Sequence, residues 1–104
     1  MDLTAIASLP DVQSTMLCDP SGALLQSMGE EDAESAAAVV GFLSATLGQV
    51  GDELGLGPLY RLSVAGPARA TLVVSLGDSV LSTVIVPSSA FPKVENAVDS
   101  ILQG

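Results

Sequence analysis

Apolar and polar positions divide the chain into eight segments. Residues 2–9 place Leu3, Ile6 and Leu9 on one side of a short helix, stopped by Pro10 and Asp11. Val12 to Cys18 reads as a strand and Ala23 to Met28 as a second. Between them, Asp19-Pro20-Ser21-Gly22 is a turn signal: Pro20 presets φ, Asp19 caps, and Gly22 permits the exit. These form a first hairpin. Glu30, Glu31, Asp32 and Glu34 open a long helix running to about Leu54. Gly55 and Gly57 end it and Pro58 prevents its resumption. Leu59–Ala65, Ala70–Leu76 and Ser79–Val86 follow as strands, divided by Gly66-Pro67 and by a two-residue turn at Gly77-Asp78. A final helix carries Phe91, Val94, Val98, Ile101 and Leu102 as one apolar stripe.

The last two strands are apolar on both faces: Val80, Val84 and Val86 on one, Leu81, Thr83 and Ile85 on the other. Such strands are covered on both sides. The sheet is therefore expected as a middle layer, with the long helix on one side and the terminal helices on the other.

Two rows run along the long helix. Ala36, Val40, Leu43, Leu47, Val50 and Leu54 form an apolar seam expected to pack on the domain's own sheet. One residue along, Ala37, Gly41, Ser44, Gly48, Gly51 and Gly55 repeat the spacing with small residues. That offset turns about 100° around the axis. Each interior glycine costs on the order of 1 kcal/mol against alanine. Three on one face call for an offsetting benefit, and small residues let another backbone approach. A second copy of the helix is expected there; close approach to the domain's own sheet or loops is the alternative.

Composition narrows the function. The chain has 104 residues, one domain's worth, expected to span 1–104. It is 48% hydrophobic and 14% charged, unusually apolar for a small monomer, which points to surface hidden by association. Twelve acidic residues against three basic ones give a net charge of −9. Arg61, Arg69 and Lys93 are far apart, so nucleic acid and direct binding to anionic membranes are not expected as partners. One cysteine excludes an internal disulfide and fits a reducing compartment. There is no basic, apolar leader, and no apolar run approaches the roughly 18 residues of a spanning helix. A cytoplasmic location is expected.

Candidate chemistry is sparse. Without histidine there is no His-based acid–base work, Ser-His triad or His metal ligand. Cys18, in a predicted strand, reads as a buried, inert thiol. Gly55-Leu56-Gly57 lacks the rest of a dinucleotide fingerprint, and no P-loop is present. The acidic run could hold a hard cation, but it lacks the alternating calcium-loop pattern; helix capping and a solvated face explain it better. Arg61 and Arg69 could be imagined as arginine fingers, but both fall at predicted strand positions, where a surface arginine is the default. No cofactor, metal or catalytic residue is expected, and the chain is read as a binding module, not an enzyme.

The whole pattern resembles the roadblock/LC7 family. The hairpin Val12–Leu25 with its Asp-x-x-Gly turn, the Ala-rich helix Ala33–Leu54, and the closing strands Arg69–Leu76 and Val80–Val86 carry the resemblance. It implies an α/β (α+β) three-layer sandwich, with a five-stranded antiparallel sheet between the long helix and the two terminal helices. Members dimerise by pairing the third strand, here about Leu59–Ala65, and by laying the two long helices side by side. On that basis Gly41, Ser44, Gly48, Gly51, Leu59, Arg61 and Ser63 are the expected homodimer interface. Members bind small Ras-like GTPases, or act as scaffolds for other roadblock and polarity or motor proteins. Bacterial members similar to gliding-motility polarity regulators can stimulate GTP hydrolysis without inserting an arginine of their own. The implied mechanism is differential binding of one nucleotide state. Glu34, Ala38, Phe42, Ala45, Gln49 and Asp52, outward on the long helix, are the candidate partner surface, with Phe42 as anchor. A scaffold that never touches the GTPase, and a small-molecule sensor, are the competing readings.

Overall fold

The alternation of apolar residues sets the sheet. The computed structural model describes residues 3–29, 32–57 and 60–103, with α1 at Thr4–Ala7, β1 at Val12–Cys18, β2 at Leu24–Met28, α2 at Ala33–Glu53, β3 at Arg61–Ala65, β4 at Ala70–Ser75, β5 at Val80–Ile85 and α3 at Phe91–Gln103. Asp2, Glu30, Glu31, Pro58 and Leu59 lie outside the described residues, as does the side chain of Leu47. The five strands form one antiparallel sheet in the order β2-β1-β5-β4-β3.

One face of the sheet meets α1 and α3. Leu17, Leu72, Val74, Leu81 and Ile85 pack there against Leu3, Ile6, Val94 and Val98. Leu9, Phe91, Ile101 and Leu102 close the rim, as the two stripes predict. Thr15 and Thr83 sit opposite each other in this layer, fully buried. Thr15 Oγ1 lies 3.2 Å from the Ser82 carbonyl oxygen and 3.2 Å from Thr83 Oγ1, so the two hydroxyls satisfy each other and the ladder.

The other face meets α2, giving three layers. Met16, Cys18, Val73 and Val80 pack against Ala37 and Val40. Burial pushes the Cys18 thiol pKa up, and the neighbouring Asp19 charge adds to the effect.

Turn chemistry joins the elements as read. Asp19 Oδ1 accepts hydrogen bonds from the Ser21 and Ala23 amides and the Ser21 hydroxyl. Those bonds, the Ser21 hydroxyl first, hold the Asp19 carboxyl below its usual range. At the end of α2, the Leu56 amide donates to Gly51 and the Gly55 amide to Asp52, a Schellman ending with Gly55 at φ 75°. At the start of α2, Asp32 holds the cap position without a side-chain capping bond, Glu34 stands exposed in the first turn at the positive end of the dipole, and Glu30 and Glu31 lie outside the described residues.

A correction concerns hydropathy. By length and composition alone α2, 21 residues long with an 18-residue window of mean hydropathy 1.2, is apolar enough to cross a bilayer. Alanine, valine, leucine and phenylalanine raise the mean, but Gly, Ser, Thr and Gln interrupt them, so inspection for a long apolar run passes over the helix.

The faces of the long helix and the edge of the third strand

Small residues decide how α2 lies on its sheet. Ala37 is fully buried, Gly41 and Gly51 are buried, and Ser44 and Gly48 are half-buried. The large seam is not: Leu43 and Val50 are each over a third exposed, and Leu54 is 67% exposed. Among the described side chains of that seam, Val40 is buried and Ala36 half-buried. The first turns of both rows, Ala36, Ala37, Val40 and Gly41, therefore face the domain's own fold, as the seam predicts for Ala36 and Val40, while Leu43, Val50 and Leu54 of the bulky row face sideways.

Gly41 shows the reason. A Cβ placed there would lie 2.5 Å from Gly22 Cα and 2.6 Å from Gly22 N, in the β1–β2 turn. Gly22 in turn lies against Ala37 and Ala38. The hairpin turn thus docks on the helix through glycine, and Gly41 is removed from the expected dimer face. Beyond it the helix draws away, and a Cβ at Gly48 would meet nothing within 4 Å. Gly48, Ser44 and Ala45 instead edge a groove of about 340 Å³ with Pro20, Tyr60, Ser75 and Val80.

On its other side, the sideways row borders a more apolar groove of about 360 Å³. Ala36, Val39, Val40 and Leu43 form one wall, and Leu62, Val64, Thr71, Val73 and Val84 the floor and far side. The helix covers β1 and β2, and leaves the β4–β3 half of this face open. Val39 and Val64, both more than half exposed, were not among the sequence's candidates. Their signal was the 3,4 spacing beside a strand with no polar residue on that face.

The six residues of the candidate partner surface behave alike. Glu34, Ala38, Phe42, Ala45, Gln49 and Asp52 are all exposed, and Phe42 is 71% exposed. Phe42 is therefore not core, while Ala38 lies against the Gly22 turn and Ala45 edges the smaller groove.

Strand β3 is an edge of the sheet. The Ser75 amide donates to the Tyr60 carbonyl, and the Gly66 amide to the Arg69 carbonyl. With the register Leu62↔Val73 and Val64↔Thr71, the inward-bonded positions are Tyr60, Leu62, Val64 and Gly66. Arg61, Ser63 and Ala65 therefore turn their amides and carbonyls to the free edge. The Arg61 side chain folds back onto α3: its Nη1 lies 2.9 Å from Glu95 Oε2 and its Nη2 2.5 Å from Asp99 Oδ1. The Asp99 hydrogen bond, with Glu95 behind it, raises the guanidinium pKa further. A clamped arginine of this kind cannot serve as a finger. Arg69 lies in the β3–β4 connection, not in a strand, and is exposed. Lys93 Nζ is 3.6 Å from Asp11 Oδ2.

No protein-family model matches the sequence, and no curated protein sequence is similar to it at a significant level. Solved structures are similar in shape. The gliding protein MglB from Thermus thermophilus superposes with a TM-score of 0.84 at 16% identity, over 94% of this chain and 78% of that one. An MglB described as having a tetrameric arrangement gives 0.84 at 16% identity, over 94% and 77%. A roadblock/LC7 domain from Streptomyces avermitilis gives 0.72 at 15% identity, over 96% and 92%. The element order, the sheet order and these superpositions together make the chain a roadblock/LC7-like fold.

Proposed function

We propose that this protein is a non-catalytic, cytoplasmic binding module that works as a homodimer and regulates, or acts as effector of, a small Ras-like GTPase in bacterial polarity or motility. The observation that carries the reading is the division of labour on α2. One side, with Val39 and Leu43, leaves bulky apolar side chains beside an open sheet edge, where a second copy would cover them. A separate row, centred on Phe42, stays outward and available to a different partner. The likeness to MglB structures supplies the polarity and motility setting.

Regulation then follows from affinity alone. A dimer that binds one nucleotide state tenfold tighter shifts the GTPase toward that state by about 1.4 kcal/mol, and a dimer that binds both equally shifts nothing.

The test is co-elution with light scattering, using the small Ras-like GTPase encoded by the same genome in GTP-analogue and GDP forms. A complex with the GTP analogue alone supports the reading. A dimer that ignores both forms supports the second reading, a scaffold for other roadblock or polarity proteins. The tetrameric arrangement of a similar protein favours keeping that second reading in view.

A further inference from the structure

We propose that the apolar groove between α2 and the β4–β3 half of the sheet binds a neutral aliphatic molecule with one polar end, of the class of medium-chain alcohols and esters. The site is additional to the GTPase reading above and does not depend on it.

The floor of the groove carries the argument. Ser14 on β1 and Ser82 on β5 both line it, at 5% and 4% exposure. Register sets both side chains on the α2 face. Ser82 lies opposite Met16 and Val73, which belong to the layer beneath α2, and Ser14 stands two residues before Met16. Neither hydroxyl makes a hydrogen bond among the described residues. No fully enclosed side-chain oxygen among those residues lacks a partner, so the two serine oxygens reach the open space of the groove. The opposite face shows what a closed layer does with its hydroxyls: Thr15 and Thr83 bond to each other. Valine at positions 14 and 82 would pack the α2 face as Val73, Val80 and Val84 do. Hydroxyls sunk in an apolar site without partners are costly. An occupant that bonds to them accounts for both.

The lining sets the chemistry of that occupant. Ser14 and Ser82 are diagonal neighbours on paired strands, roughly 7–8 Å apart at Cα. One oxygen-bearing head between them reaches both, since two hydrogen bonds of about 2.8 Å span most of that gap. Among the described residues no lysine or arginine lines the groove, so a carboxylate would be buried without a counter-ion. No aromatic side chain lines it either, and walls of Ala36, Val39, Val40 and Leu43 suit a flexible chain better than a flat ring. The volume of about 360 Å³ has room for about a dozen non-hydrogen atoms, each taking roughly the 30 Å³ of a liquid water. Val39 and Leu43 stand more exposed than the serines, at the rim, so a second copy covering them would roof a bound chain.

Isothermal titration of the full chain with 1-octanol and with octanoate at neutral pH tests the site. Octanol is expected to bind, and octanoate to bind more than about tenfold more weakly. Ser14→Ala and Ser82→Ala are each expected to weaken octanol by about two- to tenfold, the worth of one hydrogen bond, without lowering the melting temperature. No binding of octanol up to its solubility overturns the site. Equal affinities for octanol and octanoate overturn the neutral head, and unchanged affinity in both serine variants overturns the floor hydroxyls as its partners. An octanol affinity that falls as light scattering shows the chain to dimerise means that a second copy fills the groove, which overturns the ligand and leaves the dimer reading intact. The nucleotide-state dependence of GTPase binding is read separately, so failure of the ligand and failure of the proposed function are distinguishable.

Discussion

Gly41 and Gly22 touch backbone to backbone: the space a side chain at Gly41 would need is filled by Gly22 Cα at 2.5 Å. Two glycines far apart in sequence thus let the first hairpin turn seat itself on the long helix. Gly22 also has φ +95°, so neither position tolerates a Cβ cheaply.

This contact separates two glycines that look alike on the helix. Gly41→Ala forces backbone apart and is expected to destabilise the fold by about 1–3 kcal/mol, the usual range for overpacking. Gly48→Ala meets open space and is expected to stabilise it by up to about 1 kcal/mol through helix propensity. Thermal unfolding of the pair at fixed concentration checks both signs. Equal and small effects would mean that the turn does not dock on α2.

Asp19 makes the turn pH-sensitive in a stated direction. Its folded pKa is lowered, so its contribution is full above the unfolded value of about 3.9 and fades as pH falls through the folded value. Asp19→Asn keeps an oxygen acceptor but loses the charge. It is expected to cost stability at pH 7 and to show less additional loss between about pH 5 and pH 2 than the wild type. Parallel denaturant titrations at several pH values measure this.

Cys18 is fully buried with a raised pKa. Its thiol is expected to resist a disulfide reagent in the native protein at pH 8 and to react at once in denaturant. Rapid labelling of the native state would place the β1–β5 centre of the sheet among the readily opened parts of the fold.

The threonine pair inside the α3-side layer predicts non-additivity. Thr15→Val leaves Thr83 without its hydroxyl partner, and Thr83→Val does the reverse to Thr15. Each single variant is expected to cost about 1–3 kcal/mol, and the double variant less than their sum. Additive costs would mean that the two hydroxyls act separately.

Phe42 divides partner binding from folding. Phe42→Ala removes a side chain that is 71% exposed, so the melting temperature should move little. Binding to the GTPase should weaken by more than about 1 kcal/mol if Phe42 is an anchor. Leu43→Asp, on the sideways row, is expected to break the dimer instead. Titration calorimetry and light scattering on both variants distinguish the two rows.

The elements themselves were legible because each had a punctuation residue. Asp19 and Gly22 mark the first turn, Gly55 ends α2, and Gly77, with φ +98°, makes the last hairpin. The two-sided apolar pattern of β5 correctly required cover on both faces. The orientation of α2 was not legible. A helix laid flat on a sheet shows its largest side chains to it, and that rule placed Leu43 and Val50 inward. Here the turn at Gly22 reaches up to the helix and only the small row fits above it. Such a contact between Gly22 and Gly41 leaves no periodic trace. The Arg61 clamp was equally hidden, since Glu95 and Asp99 look like ordinary polar positions of an amphipathic helix. The row around Phe42 is exposed because it lies about 100° from the small row and about 160° from the bulky one.

The strand order carries a last consequence, for how the chain reaches this state. β1 lies beside β5 at the centre of the sheet, and Thr15 bonds to residues 67 and 68 positions away. Each outer hairpin closes locally, β1 with β2 and β4 with β3 or β5, but the seam between the halves needs nearly the whole chain. Seams of such long sequence separation close slowly, because a large loop must be ordered before any contact rewards it. A ribosome must therefore release β5 before β1 can acquire its central neighbour. Until then the first hairpin waits with its inner edge open and Met16 and Leu17 uncovered.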